Sequence, residues 1–304
     1  MASKTLPLKG FKDTDHLGST PESVPSKRLF KNLTKPRMNI IVPQTKFQLQ
    51  KRRHTRIWII KGTYTNPQVF RNTKKALNSD KNIQEVSFWQ GCSHQADILS
   101  RCYFNAIAQV TSLQYIHFDF SCCFDKSLDK LKRCLQRLKL LKEFDLSSYD
   151  CRQLTDLGLQ SLSQGLKSCL LLQKVIIRSK WCSKFTDTGL IHLSKALKRL
   201  ISLKTAKFYF YGCPSITDIG FQELTRSLKG LVSLEDLGLQ FGSCDYITDK
   251  GISDLCEMTK NLPCLKEISL DFSAKNITSE WRQKIWEVQE KYSPFSKRFQ
   301  RLLD

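Results

Sequence analysis

No stretch of about 18 apolar residues runs through this chain, so a transmembrane helix is not expected. Its first residues lack the apolar core of a secretory signal, and Asp13 and Asp15 count against a mitochondrial presequence. There is no glycine-rich phosphate loop, no HExxH and no nucleophile elbow, which removes the common signatures of nucleotide, zinc-protease and hydrolase chemistry. The 12 cysteines include no Cys-x2-Cys pair, the spacing that a tetrahedral metal site usually needs. Without a signal, those cysteines point to a reducing compartment and not to a disulfide scaffold. The expectation is a cytoplasmic chain, with a nuclear location as the alternative and a mitochondrial one disfavoured.

Acidic residues are also scarce. The chain has 49 Lys and Arg against 28 Asp and Glu, a formal net charge of +21. Such a surface favours polyanionic partners: nucleic acid, acidic protein segments or anionic lipid. Residues 1–56 hold 13 of the cations and 3 acids, a net of +10.

What the chain does have is a repeat. Thr155-Asp156-Leu157-Gly158 returns as Thr186-Asp187-Thr188-Gly189, Thr217-Asp218-Ile219-Gly220 and Thr248-Asp249-Lys250-Gly251, each 31 residues on. In the following unit it decays to Thr278-Ser279-Glu280-Trp281. A second motif runs in phase with the first, as Leu172-Gln-Lys-Val175-Ile-Ile177 and Leu234-Glu-Asp-Leu237-Gly-Leu239 show. Its copies extend back to His54-Thr-Arg-Ile57-Trp-Ile59, which makes eight units.

Each unit reads as strand, turn and helix. In residues 203–231, Ala206, Phe208 and Phe210 alternate with Lys207, Tyr209 and Tyr211, the period of a strand with one buried face. Gly212-Cys213-Pro214-Ser215 is turn chemistry. Thr217 or Asp218 suits a helix N-cap, and Phe221, Leu224 and Leu228 follow at helical spacing. One such unit cannot bury its own apolar side, whereas stacked units share a core.

The span Leu234 to Leu255, with Phe241, Cys244, Ile247, Thr248, Asp249, Gly251 and Ile252, resembles the cysteine-containing leucine-rich repeat of the ribonuclease-inhibitor-like and F-box-type superfamily. The resemblance covers roughly residues 53–292. It implies an α/β, right-handed leucine-rich-repeat solenoid, a horseshoe of about eight units with a parallel concave sheet and convex helices. Nothing in that motif is catalytic, so it implies no active site and no cofactor. The expected organisation is a basic, largely disordered arm at 1–50, the solenoid at 51–278, a capping helix at 279–292 and a basic tail at 293–304. Ile40-Ile41-Val42 is a candidate for one short added strand.

Three rows carry the functional expectations. Cys151, Cys182, Cys213 and Cys244 stand 31 apart and read as small buried side chains at each strand-to-helix turn. Lys167, Lys198, Lys229 and Lys260 keep the same spacing near helix C-termini. There they complement the helix dipole, and they also form a positive stripe. The third row is the outward face of the sheet: Trp58/Ile60, Ser87/Trp89, His117/Asp119, Asp145/Ser147, Ile176/Arg178, Lys207/Tyr209, Gly238/Gln240 and Ser269/Asp271. Eight strands about 4.8 Å apart make a surface roughly 35–40 Å long.

Within it Trp58, Trp89, His117, Asp119, Arg178, Lys207, Tyr209, Gln240 and Asp271 are the candidate partner-binding residues. Lys51, Arg52 and Arg53 join the lysine row as candidate electrostatic contacts. His117 and Asp119 share a face but have no nucleophile nearby in this register. The expectation is a monomeric, non-enzymatic scaffold for an acidic protein partner, the basic arm adding attachment. A ubiquitin-ligase substrate receptor and a nucleic-acid-associated component are the alternatives. The first needs about 40 residues of helical apolar pattern before the repeats, and the second has charge but no recognised module.

Overall fold

The structure, a computed structural model, describes residues 48–52, 55–62, 75, 77, 83–90, 103–121 and 123–292. Side chains are described for 75, 77, 83–88, 103–120 and 123–292. Most of the expected arm, Arg53 and the tail at 293–304 lie outside the described residues.

Nine strands form one sheet in chain order. They are β1 (Gln48–Arg52), β2 (Thr55–Gly62), β3 (Ile83–Gln90), β4 (Tyr115–Ser121), β5 (Glu143–Tyr149), β6 (Lys174–Lys180), β7 (Thr205–Tyr209), β8 (Asp236–Gln240) and β9 (Glu267–Asp271). β2 to β9 pair in parallel, one strand per repeat. Between them run α1 (Asp125–Arg137), α2 (Asp156–Leu166), α3 (Asp187–Leu197), α4 (Asp218–Leu228) and α5 (Asp249–Lys260), and α6 (Ser279–Tyr292) follows β9. This is a leucine-rich-repeat solenoid. The sequence register does not anticipate β1, which pairs antiparallel with β2 and takes in residues 48–50 of the stretch assigned to the arm.

The core is built in rows because parallel pairing places equivalent residues side by side. Val86, Ile116, Phe144, Val175, Ala206 and Leu237 make one buried row, and Phe88, Phe118, Leu146, Ile177, Phe208 and Leu239 the next. A third row is aromatic at both ends: Phe120, then Ser148 and Ser179, then Phe210, Phe241 and Phe272. The two serines satisfy each other across the coils, Oγ to Oγ at 2.9 Å. Phe185, where the other coils carry Leu or Ile, packs against Phe210 with ring centroids 6.1 Å apart. Each fully buried Leu or Phe contributes about 1.5–3 kcal/mol of transfer free energy, which an isolated unit cannot collect.

Thr-Asp-x-Gly is the joint between coils. Each threonine is an N-cap: Thr155, Thr186, Thr217 and Thr248 accept from the backbone N–H two residues on, through Oγ1, at 3.2–3.3 Å. Each aspartate turns away from its own helix to the next coil. Asp187 accepts from the Thr217 N–H at 2.8 Å and from the Thr217 hydroxyl at 2.7 Å. Asp125, Asp156, Asp218 and Asp249 do the same for Thr155, Thr186, Thr248 and Thr278. The glycine leaves room for the carboxylate arriving from the previous coil: a methyl at Gly189 would sit 2.5 Å from Asp156 Oδ1.

The motif changes at 278. Thr278 still serves Asp249, and Ser279 stands at the position that aspartate holds in the four coils before. α6 lies against the last strand. Ile285 is buried, and Gln289 Oε1 accepts from the Leu270 N–H of β9 at 2.8 Å.

The cysteine row is a second, buried joint. Cys213 Sγ donates to the Ser179 carbonyl at 3.6 Å and Cys244 Sγ to the Phe210 carbonyl at 3.0 Å, each in the coil before. Burial pushes the Cys244 thiol up to about 11 and the Cys169 thiol up to about 12.

Two outcomes follow from these joints. Asp187→Ala strands the Thr217 N–H and hydroxyl at a helix start and is expected to lower unfolding stability by about 1–3 kcal/mol, read from the denaturant midpoint. The buried thiols hold their protons in the fold more tightly than in the unfolded chain. Their stabilisation is therefore complete below the ordinary thiol range and is lost as pH rises from about 9 towards the folded value near 11. Denaturant midpoints at rising pH should fall across that window, and fall less steeply in Cys244→Ala.

Candidate functional site

The outward face of the sheet presents two aligned rows. Ser87, His117, Asp145, Ile176, Lys207, Gly238 and Ser269 are in register, as are Trp89, Asp119, Ser147, Arg178, Tyr209, Gln240 and Asp271. Trp58 does not join them. An irregularity between Arg56 and Ile57 brings Ile57 opposite Glu85, so Trp58 pairs with Val86 and Ile60 with Phe88, both core positions. Ile59 and Lys61 hold the outward register there. One slipped residue exchanges the register of a strand, so the backbone of Trp58 pairs one position away from the alternation's expectation; its side chain lies outside the described residues. The side chain of Trp89 lies outside the described residues, although its backbone keeps the outward register.

The middle of the face is tied down. Asp145 lies between two partners: Arg178 pairs with its Oδ1, and His117 Nδ1 stands 3.3 Å from Oδ2. The Arg178 guanidinium lies over the Tyr209 ring, 5.8 Å from its centroid. Burial raises the Tyr209 phenol above its ordinary range. Lys207 pairs with Asp236 at 2.7 Å. Gly238 lets these long side chains lie flat, since a methyl there would meet Tyr209 Oη at 2.9 Å and Lys207 Cγ at 3.0 Å. Beneath them Ile176 is buried from the outward side and stands apart from the main core. Ser87, also expected to face outward, is buried as well.

Beside this cluster a depression of about 340 Å³ is lined by Glu85, Tyr115, His117, Glu143, Asp145 and Lys174, with Ile116 and Phe144. Gln240 is half-buried, and Asp271 accepts from the Ser273 N–H at 3.1 Å.

The charge of the face opposes that of the chain. The outward positions of β3 to β9 hold seven acids (Glu85, Asp119, Glu143, Asp145, Asp236, Glu267 and Asp271) and four cations (Lys174, Arg178, Lys180 and Lys207), a net of −3 in a chain of +21. An acidic partner was expected on this face, and its described part is acidic itself.

The expected cations lie elsewhere. Lys51 and Arg52 are on β1, while Lys167, Lys198 and Lys229 are the C-cap residues of α2, α3 and α4. Lys260 ends α5 and pairs with Glu257 at 2.6 Å. The first three have no carboxylate among the described residues at ion-pair distance. Among the described residues no group of three or more His, Cys, Asp or Glu is placed to hold a metal ion, and no helix is long and apolar enough to cross a membrane.

A left-handed position in four successive coils was missed. Asp150, Trp181, Gly212 and Ser243 stand 31 apart, at φ of 49°, 62°, 65° and 58°. Gly, Asp and Ser suit such a turn, but a tryptophan there is strained. Trp181 is 45% exposed and meets the Tyr211 ring edge-on at 5.1 Å. Its indole fills the space over Gly212, where a methyl would lie 2.5 Å from Trp181 Cε3. The signal was in the repeat register, where the tryptophan is the odd member of its column.

Comparison with known proteins adds little beyond the fold. No family model matches the chain, and no curated protein does. Among solved structures, that of TLR13 in complex with ssRNA13 is similar at 14% identity, covering 70% of this chain, with a TM-score of 0.27. The match spans 38% of that chain.

Gly212→Ala is expected to lose about 2–4 kcal/mol, from a methyl at positive φ and from its collision with the indole. In a Trp181→Ala background only the backbone part, about 1–2 kcal/mol, remains. A double-mutant cycle in urea measures the difference.

Proposed function

We propose that this chain is a non-enzymatic scaffold, a cysteine-type leucine-rich-repeat protein that holds a protein partner against its outward sheet face. We further propose that the partner presents cationic groups there. The observation that carries this reading is the acidic face in a strongly basic chain. Opposite charge steers encounter and fixes register, whereas an acidic segment would meet like charge. His117, Asp119, Arg178, Lys207, Tyr209, Gln240 and Asp271 are the proposed contacts, with Trp89 extending the row. Arg178 on Tyr209 offers a preorganised centre of the kind that dominates interface energetics. The polar groups here are engaged with one another and present no nucleophile with a base, which supports binding over catalysis.

A second reading concerns residues 1–56, whose +10 charge favours nucleic acid or another polyanion. That attachment would involve a different part of the chain and is compatible with the first.

Affinity purification followed by mass spectrometry, comparing the wild-type chain with Asp119→Lys/Glu267→Lys and with Arg178→Ala/Tyr209→Ala, tests the proposal. The first variant brings the face from −3 to +1 and is expected to lose basic partners at least about tenfold, with stability unchanged within about 0.5 kcal/mol. Retention of the same partners by both variants would refute docking on this face.

A further inference from the structure

The solenoid has another surface that the scaffold reading does not use: the edge where each helix turns back into the next strand. Five aliphatic side chains stand out from it in four successive coils. Leu140 is 48% exposed, Leu170 51%, Leu171 48%, Ile201 67% and Val232 57%. Their neighbours in the same turns, Leu138, Leu172, Leu200 and Leu231, are buried. The turn therefore uses one apolar residue to close the core and sends the next outward, coil after coil. Leu170, Ile201 and Val232 are 31 apart, and Leu140 and Leu171 share a second such register. Parallel coils repeat about every 4.8 Å at the sheet, so the tips form a continuous ridge.

Cations interleave with this ridge. The turn segments 137–142, 167–173, 198–204, 229–235 and 260–266 hold ten Lys and Arg against one acid, a net of +9. Helix C-termini point the same way and each contributes about −0.5. Five of them offset only part of the excess. Lys139, Arg199 and Lys204 are exposed in the same turns, and Lys167, Lys198 and Lys229 are the C-cap residues that open them.

We propose that this edge docks on an anionic lipid surface. Aliphatic tips enter the acyl boundary while the surrounding lysines and arginines meet headgroup phosphates, the same division of labour as in an interfacial amphipathic helix. A bilayer fits better than a folded partner for a stated reason. The tips are purely aliphatic and flanked by flexible cations, with only Ser202 and Ser233 as polar neighbours at that level. That is enough for a laterally uniform, apolar and anionic phase, which requires no directional hydrogen bonds. The lysine row thus acquires a role beyond complementing helix dipoles. This proposal does not rest on the outward sheet face, which belongs to a different side of each coil.

The test is co-sedimentation of the full chain with vesicles of phosphatidylcholine carrying about 30% phosphatidylserine, against phosphatidylcholine alone. Wild-type protein is expected to partition onto the anionic vesicles, to leave them as salt rises, and not to bind the neutral ones. Leu140→Ser/Leu171→Ser/Ile201→Ser/Val232→Ser should reduce partition at least about tenfold, with an unchanged thermal transition to show that the fold is intact. Arg178→Ala/Tyr209→Ala should bind vesicles like wild type. The proposal is overturned if wild type ignores anionic vesicles, or binds neutral ones equally. It is also overturned if the four-serine variant binds as well as wild type, which would assign lipid attraction to other basic residues such as those of 1–56. Loss of a protein partner in that variant with vesicle binding intact would make the edge a protein-docking site instead.

Discussion

The carboxylate that each coil extends to the next is the joint on which this molecule is assembled. Asp187 does not serve its own helix; it satisfies the N–H and hydroxyl of Thr217, which caps the helix that follows. The glycine three residues after each threonine exists because a neighbour's carboxylate occupies the space of a side chain. Capping, stacking and spacing are thus one interaction. A coil cannot tilt or slip without leaving a buried or half-buried donor unpaired, which costs more than the bond itself contributes. The phenylalanine rows and the cysteine thiols then fill a space whose dimensions the joint has already set.

Alignment of coils has an electrostatic consequence. Because equivalent positions fall side by side, a small bias per repeat becomes a property of a whole surface. Acids recur at the outward strand positions and cations at the helix-to-strand turns, so one chain carries an acidic sheet face and a basic edge. Net charge alone describes neither. The expectation of an acidic partner came from the total, +21; the face that was to receive that partner has the opposite sign. Arg178 and Lys207 illustrate the difference, since each is engaged with an aspartate of an adjoining strand and adds little free positive charge.

Local departures from the repeat are informative for the same reason. Trp181 occupies a left-handed position that other coils give to Asp, Gly or Ser, and Gly212 makes space for its ring. Ser148 and Ser179 interrupt the aromatic row as a matched pair. Ser279 replaces the aspartate at the start of α6, which packs on β9. Each is a substitution in one column of an otherwise regular pattern, and each is compensated by the column beside it.

The sequence by itself determined the unit, its eight copies, the buried cysteine row, the threonine caps and the faces of β4 to β9. Those follow from local periodicity and from the inability of one unit to bury its own apolar side. The register of β2 was decided only in the tertiary structure, because a strand's faces are exchanged by a single slipped residue and Arg56–Ile57 carries no local mark of one. The destination of each aspartate and the reason for each glycine were likewise invisible along the chain, since both involve contacts about 30 residues apart. The sign of each surface also had to wait for the stacking of coils, because charge adds by proximity in space and not by position in the chain.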